Sequence, residues 1–248
     1  MIIYTLRGVI NSVSETLKVF LTVFISVNIS VLTVFLASKL YNKIKAERKQ
    51  DRVNHFGDSA EKKVVNYIRK YLPEARLMTD LYLKTETGLT ELDALLFCDR
   101  GIFIIEIKSH NGYIITRGKH WTQRWGEKVV RFHNPTYQNK VHKKALEEIL
   151  KKRQSLASLP IYTVTVFTSS KVSFSENVKD VIKLPILTKF IKNKPRDRRM
   201  TSSTIADVQK LIKSYMETSR RRQRLHKKRI WENNNKKKAY RVNRYSVK

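Results

Sequence analysis

Nineteen residues from Val19 to Ala37, VFLTVFISVNISVLTVFLA, carry no charge and one strongly polar side chain, Asn28. As a helix this run extends about 28 Å, against a bilayer hydrocarbon core of ~30 Å. A lone segment can satisfy its backbone in lipid only as a helix. Residues 19–38 are therefore expected to form one transmembrane helix, preceded by a short segment, 1–18. A cleaved signal peptide is the competing reading, but its apolar region normally runs about 7–15 residues, and Ala37-Ser38 is a poor cleavage site. Two basic residues, Arg7 and Lys18, precede the run, and six follow it within fourteen residues: Lys39, Lys43, Lys45, Arg48, Lys49 and Arg52. The positive-inside rule places the C-terminal part in the cytoplasm of a single-pass protein of the cell membrane. Residues 39–55 then form a basic juxtamembrane linker that can lie on anionic headgroups.

From residue 56 the pattern becomes that of a globular domain. Asp58 can cap a helix running to about Tyr71, with Val64, Val65, Ile68 and Leu72 on its apolar face, and Pro73 ends it. Strand patterns follow over 76–83, 89–97 and 101–109. Asn111-Gly112 has the composition of a two-residue hairpin turn, leading into 113–117, and a short strand is expected over 128–132. Pro135 stands at a helix start, with that helix reaching about Leu156. Residues 161–168 form a β-branched strand, and a further helix is expected over 204–224. The order predicts a mixed α/β domain over 56–218, its central sheet covered by helices. The remaining segment, 219–248, holds thirteen Lys or Arg and one acid, Glu232. Such a tail is expected to be disordered or a helical extension, and attractive to polyanions.

Charge narrows the class of partner. Lys and Arg number 51 against 21 Asp and Glu, a formal net charge of +30, which favours nucleic acid or an anionic membrane surface. The single cysteine, Cys98, excludes an intrachain disulfide and fits a reducing compartment. The six histidines are scattered without partner cysteines or HExxH spacing, which argues against zinc.

The chemistry lies in two strands that break their own apolar pattern. In GIFIIEIKS, residues 101–109, alternation puts Ile102, Ile104, Glu106 and Lys108 on one face and Phe103, Ile105 and Ile107 on the other. Burying either charge alone is expensive, so the two must pair, reach an edge or bind a metal. The preceding strand repeats the anomaly, with Glu91, Asp93, Leu95 and Phe97 sharing a face. The short Cys98-Asp-Arg-Gly101 connection predicts an antiparallel pair that brings Asp93 opposite residues near 106. Two carboxylates and a backbone carbonyl are hard oxygen donors suited to Mg²⁺ or Mn²⁺. Lys108 beside them could orient a water or neutralise charge on phosphorus. The plainer alternative for Glu106 and Lys108 is a cross-strand ion pair at a sheet edge.

These residues, in this order, resemble a known family. Gly57-x-x-Ala60-Glu61, Glu91-Leu92-Asp93, Gly101-Ile-Phe-Ile-Ile-Glu106-Ile-Lys108, Gly112, Trp121 and Asn134-Pro135-x-x-Gln138 are similar to the nuclease-related domain, NERD, of the PD-(D/E)XK phosphodiesterase superfamily. The resemblance covers roughly 57–150. It implies a restriction-endonuclease-like fold, with Asp93 and Glu106 as metal-binding acids and Lys108 as the catalytic lysine. Glu61 would complete the metal or water shell, and Gln138 would stand beside the site. One departure is Leu92, where the superfamily's name has proline. Glu61 could instead simply answer a helix dipole, and Gln138 could brace its own helix. Arg117, Lys119, Arg124 and Lys128, interleaved with Trp121 and Trp125, are candidate nucleic-acid contacts, as are Lys140 and Lys143. Trp121 could equally pack a sheet face.

Two functions compete on this evidence. One is a membrane-anchored nuclease, DNA its foremost substrate and RNA the other, using Mg²⁺ or Mn²⁺ at Asp93, Glu106 and Glu61. The other is a non-catalytic protein that tethers nucleic acid to the membrane, for which the intact acids at 93 and 106 have no purpose.

Overall fold

A computed structural model of the chain describes residues 2–86, 88–230 and 232; for 2–19, 21–23, 25, 27, 29 and 46–56 it describes the backbone alone. Residues 233–248, most of the basic tail, lie outside the described residues. The chain divides into two compact units, Met1–Phe56 and Gly57–Lys248.

The first helix, α1, spans Ile2–Tyr71. Asp58 therefore lies inside a helix and does not cap one, because nothing in the uninterrupted run before it breaks helical backbone. Among the described residues no helix is long and apolar enough to cross a membrane. Within 19–37, the side chains at 19, 21–23, 25, 27 and 29 are outside the described residues, and the expected span lies there with them.

The second unit is mixed α/β with two mixed sheets. The larger has the order β1-β2-β3-β7-β9, made by Arg76–Thr85, Gly88–Cys98, Gly101–Lys108, Ile161–Phe167 and Val181–Lys183. β1, β2 and β3 are antiparallel neighbours, whereas β3–β7 and β7–β9 are parallel. The central strand β3 is buried from Gly101 to Ile107. Ile102 and Ile104 face helix α2 (Pro135–Lys151) and helix α4 (Ser202–Ser214), packing with Leu146, Ile149, Leu150, Val208 and Ile212. On the other face Phe103, Ile105 and Ile107 meet Ala60, Val64 and Ile68 of α1, and Leu187 and Ile191 of α3 (Leu187–Lys192). Each such large side chain, fully buried, contributes about 1.5–3 kcal/mol. Asn134 caps α2, its Oδ1 accepting from Thr136 N at 2.9 Å, and Pro135 follows where its missing N–H costs nothing.

The smaller sheet has the order β6-β5-β4-β8, made by Lys128–His133, His120–Trp125, Gly112–Ile115 and Val172–Phe174. The expected hairpin at Asn111-Gly112 does not form. Gly112, at φ +73°, turns the chain out of the larger sheet and starts β4, which pairs with β5 and β8 instead. A Cβ there would meet Arg124 O at 2.4 Å, so strand approach as well as φ requires glycine. Trp121 is wholly buried with Ile114, Phe167 and Val172, which makes it a core residue of this sheet.

The expected 204–224 helix is two helices. α4 stops at Ser214, and residues 220–230 form a further helix, α5. Between them the chain runs along the free edge of β1: Lys84 N donates to Tyr215 O at 2.8 Å, and Glu217 N to Tyr82 O at 2.7 Å. Backbone pairing with an otherwise open edge competes with continued helix here. α2 also ends at Lys151, short of Leu156, and 152–158 form turns that tuck Leu156 into the core.

The β2–β3 connection sets the register on which the site depends. Gly101 adopts φ +136°, and a Cβ there would lie 2.6 Å from Pro160 O. Gly101→Ala is expected to cost about 2–4 kcal/mol through backbone strain and overpacking together. The check is a lower urea midpoint with an unchanged m-value.

Candidate active site

One cleft of about 380 Å³ collects residues from four regions of the second unit. α1 contributes Gly57, Ala60 and Glu61; β2 and β3 contribute Glu91, Asp93, Glu106 and Lys108; α2 contributes Gln138 and His142; and α5 contributes His226 and Ile230. Glu61, Asp93, Glu106, Lys108 and Gln138, all singled out in the sequence, thus line a single cavity. Arg117, Lys119, Arg124 and Lys128 stand exposed on the smaller sheet and its loops, and Lys140 is exposed on α2 with Lys143 half-exposed beside it. None of these six lines the cleft.

The antiparallel register explains how the acids meet. β2 and β3 pair outward from Cys98↔Gly101 to Ala94↔Ile105, so the next step sets Asp93 beside Glu106. There Asp93 Oδ2 accepts from Ile107 N at 2.7 Å. On its other side β1 interrupts its ladder, with Thr79↔Ala94 and Leu81↔Leu92 paired and Asp80 at φ +54° between them. Asp enters this left-handed region more readily than most residues, and the break it makes leaves Asp93 without a ladder partner on β1.

Glu106 is 3% exposed and held by two partners. Lys108 Nζ lies 2.5 Å from Oε1, and His142 Nε2 lies 3.4 Å from Oε2. Thr90 Oγ1 stands 2.9 Å from His142 Nδ1. If the hydroxyl donates to Nδ1, the Nε2–H is left toward Glu106; Nε2 completes no hydrogen bond among the described residues. His142 was not foreseen. Its position one helical turn after Gln138 placed it on the same face, and that spacing was the available signal.

Electrostatics separates the two acids. Burial and the neighbouring Glu106 push the Asp93 carboxyl well above the ordinary range. Burial would raise Glu106 too, but Lys108 and His142 outweigh it and hold Glu106 below the ordinary range. Burial opposes the charge on Lys108, yet Glu106 and Asp93 overcome that and raise its pKa. Glu61 is lifted from 4.5 to about 7 by burial, then by Asp80 and Asp58.

Glu61 therefore stabilises the fold less as pH rises. Its folded pKa lies above the unfolded value, so its contribution is complete below about 4.5 and is lost on passing about 7. A Glu61→Gln protein is expected to be more stable than its parent at pH 8 and to lose that advantage by pH 4.5. Urea midpoints measured in EDTA across that range test this.

The donor chemistry of the cleft fits a hard divalent cation. Among the described residues, no three His, Cys, Asp or Glu side chains gather closely enough to hold a metal as they stand. Mg²⁺, however, commonly binds through one or two carboxylates and keeps several waters. Asp93 is both buried and set beside the like charge of Glu106, and a cation between them would offset both costs.

A mixed α/β fold carrying this cleft is consistent with the restriction-endonuclease-like class. Residues 56–168 of the chain match the family model of the nuclease-related domain. An uncharacterized protein of Bacillus anthracis is 29% identical over 110 residues, which is 43% of this chain. The match spans about half of that relative, 52% of its length. No solved structure matches the chain.

Proposed function

We propose that this protein is a membrane-anchored nuclease that hydrolyses phosphodiester bonds, of DNA foremost and of RNA by the same chemistry, with Mg²⁺ or Mn²⁺ as cofactor. The observation that carries the reading is the convergence of Asp93, Glu106 and Lys108, with Glu61 and Gln138, in one cleft of a basic protein.

Asp93 and Glu106 would hold the cation, with Glu61 at the edge of its water shell. The cation supplies Lewis acidity toward the phosphate and a more acidic bound water. Lys108, kept cationic by its two acid neighbours, orients the attacking water and neutralises charge growing on the phosphate oxygens. Glu106 fixes the Lys108 ammonium, and His142, braced by Thr90, fixes Glu106. Gln138 lies where it can donate to a phosphate oxygen or water. Phosphate contacts outside the cleft would come from Arg117, Lys119, Arg124, Lys128, Lys140 and Lys143.

Support for the anchor is the uncharged run Val19–Ala37 followed by six basic residues. Of its described side chains, Phe20, Phe24, Val31, Leu32, Val34, Phe35 and Leu36 are all more than half exposed, and such a surface calls for apolar cover. The basic side would face the cytoplasm.

A non-catalytic tether is the second reading. It is favoured by the engagement of Glu106 with Lys108 and His142, which leaves fewer free donors for a cation. Incubating the full-length chain in detergent with labelled single- and double-stranded DNA and RNA separates the two. Cleavage with Mg²⁺, abolished by EDTA and by Asp93→Asn, is the nuclease result. Tight binding with no cleavage in Mg²⁺ or Mn²⁺ is the tether result.

A further inference from the structure

α5 lies outside the segment that matches the nuclease-related domain, yet it forms part of the cleft wall. Its inward face is set by Gln223, His226, Lys227 and Ile230, at the i, i+3, i+4, i+7 spacing of one helical stripe. Lys227 Nζ is 3.2 Å from Glu91 Oε1, which also accepts from Tyr82 Oη at 2.6 Å. The His226 ring meets Tyr82 edge-on at 6.3 Å. At the start of the helix, buried Glu217 holds Arg222 at 3.1 Å and accepts from Ser219 N, and Gln223 Nε2 donates to Glu217 O at 2.6 Å. The helix is thereby fixed in position and in rotation about its own axis.

That rotation decides where its other cations point. Arg221, Arg224 and Lys228, at i, i+3 and i+7, form the opposite stripe, with Arg220 and Arg229 flanking it, and all five are exposed. Lys228 has a partner in Glu232 at 3.8 Å, while Arg220, Arg221, Arg224 and Arg229 make no ion pair among the described residues. From 220 to 228 the helix rises ~12 Å, the span of roughly three or four successive phosphates at ~3.4 Å rise per strand. A solvated basic helix would need neither the buried Glu217 anchor nor side chains entering the catalytic cleft.

We propose that α5 is a substrate-binding wall beside the site, its outward arginines gripping backbone phosphates of the nucleic acid that lie outside the cleft, on the far side of the helix from Glu106 and Lys108. This assignment rests on the nuclease reading for the strand's purpose, but the grip itself needs no cleavage. The binding chemistry is that of backbone phosphates and is therefore indifferent to base sequence.

The test is nucleic-acid affinity against salt concentration, measured by fluorescence anisotropy on the full-length chain in detergent with EDTA present. Labelled single- and double-stranded oligonucleotides serve as probes. The variant is Arg220→Gln/Arg221→Gln/Arg224→Gln/Arg229→Gln; its control, Lys70→Gln/Lys171→Gln/Lys192→Gln/Lys213→Gln, removes the same charge from exposed positions that do not line the cleft. The α5 variant is expected to bind at least about tenfold more weakly at low salt and to flatten the log–log salt slope by about 3, the control by much less. Circular dichroism confirms that both variants fold. Equal effects in variant and control would reduce α5 to a share of net charge and overturn the proposal. So would an unchanged slope alongside lost binding to phosphatidylserine vesicles, which would assign the helix to lipid. Because EDTA suppresses cleavage, a protein that grips but never cuts still supports the wall while rejecting the nuclease.

Discussion

A Lys108→Met protein is expected to cleave nucleic acid about 10²–10³-fold more slowly than its parent, with affinity in EDTA nearly unchanged. Methionine keeps most of the volume of the lysine stem and removes the ammonium. In the parent that ammonium sits against Glu106, 17% exposed, and stays charged because two carboxylates outweigh the cost of its burial. It is therefore available where charge accumulates on the phosphate in the transition state. It should contribute little to ground-state binding, for which the exposed cations elsewhere are the candidates. The loss should accordingly appear in kcat and not in KM. A rise in KM with unchanged kcat would make Lys108 a binding residue only.

Glu106→Gln is expected to destabilise the fold by about 3 kcal/mol, far more than a surface carboxylate would. The substitution leaves Lys108 charged, largely buried and without its closest counter-charge, and puts an amide NH2 donor where one of the two oxygens facing Lys108 and His142 stood. Asp93 offsets part of that loss, since it too favours the Lys108 cation. Adding Lys108→Met should then recover most of the stability, because the uncompensated charge is gone. Urea midpoints of the parent, the two single variants and the double variant close the thermodynamic cycle. Additive losses would mean that the two side chains do not act as a pair.

Much of the half of the fold that carries the cleft was legible because it rests on local rules. Alternation along 89–97 and 101–109 identified Asp93, Glu106 and Lys108 as charges in apolar strands. The three-bond connection around Asp99 and Arg100 made antiparallel pairing the economical solution, and the register that follows sets residue 93 beside 106. Pro135 marked the start of α2 for equally local reasons. The smaller sheet was not legible. β8 is three residues long and β5 interleaves Trp121 and Trp125 with polar side chains, so neither carries a usable period. The partition of β3 and β4 into different sheets follows from how Gly112 packs against Arg124, a contact between separate strands.

The break between α4 and α5 was invisible for a similar reason. Residues 204–224 are compatible with one helix, and only the open edge of β1, far away in sequence, gives Tyr215 and Glu217 a better backbone partner. His142, Thr90 and Tyr82 likewise acquire meaning from what they touch. Each is an unremarkable residue in its own segment and becomes part of the site only once α2 and β1 are placed against β2 and β3.

The measurement that bears most directly on the central claim is single-turnover cleavage of a labelled DNA by the full-length chain, followed across Mg²⁺ concentration in the parent and in Asp93→Asn. The account predicts a rate that is zero in EDTA and saturates with Mg²⁺ in the parent, and that needs far more Mg²⁺, or never rises, in the variant. Cleavage at the same rate without Mg²⁺, or with identical Mg²⁺ dependence in Asp93→Asn, would contradict it.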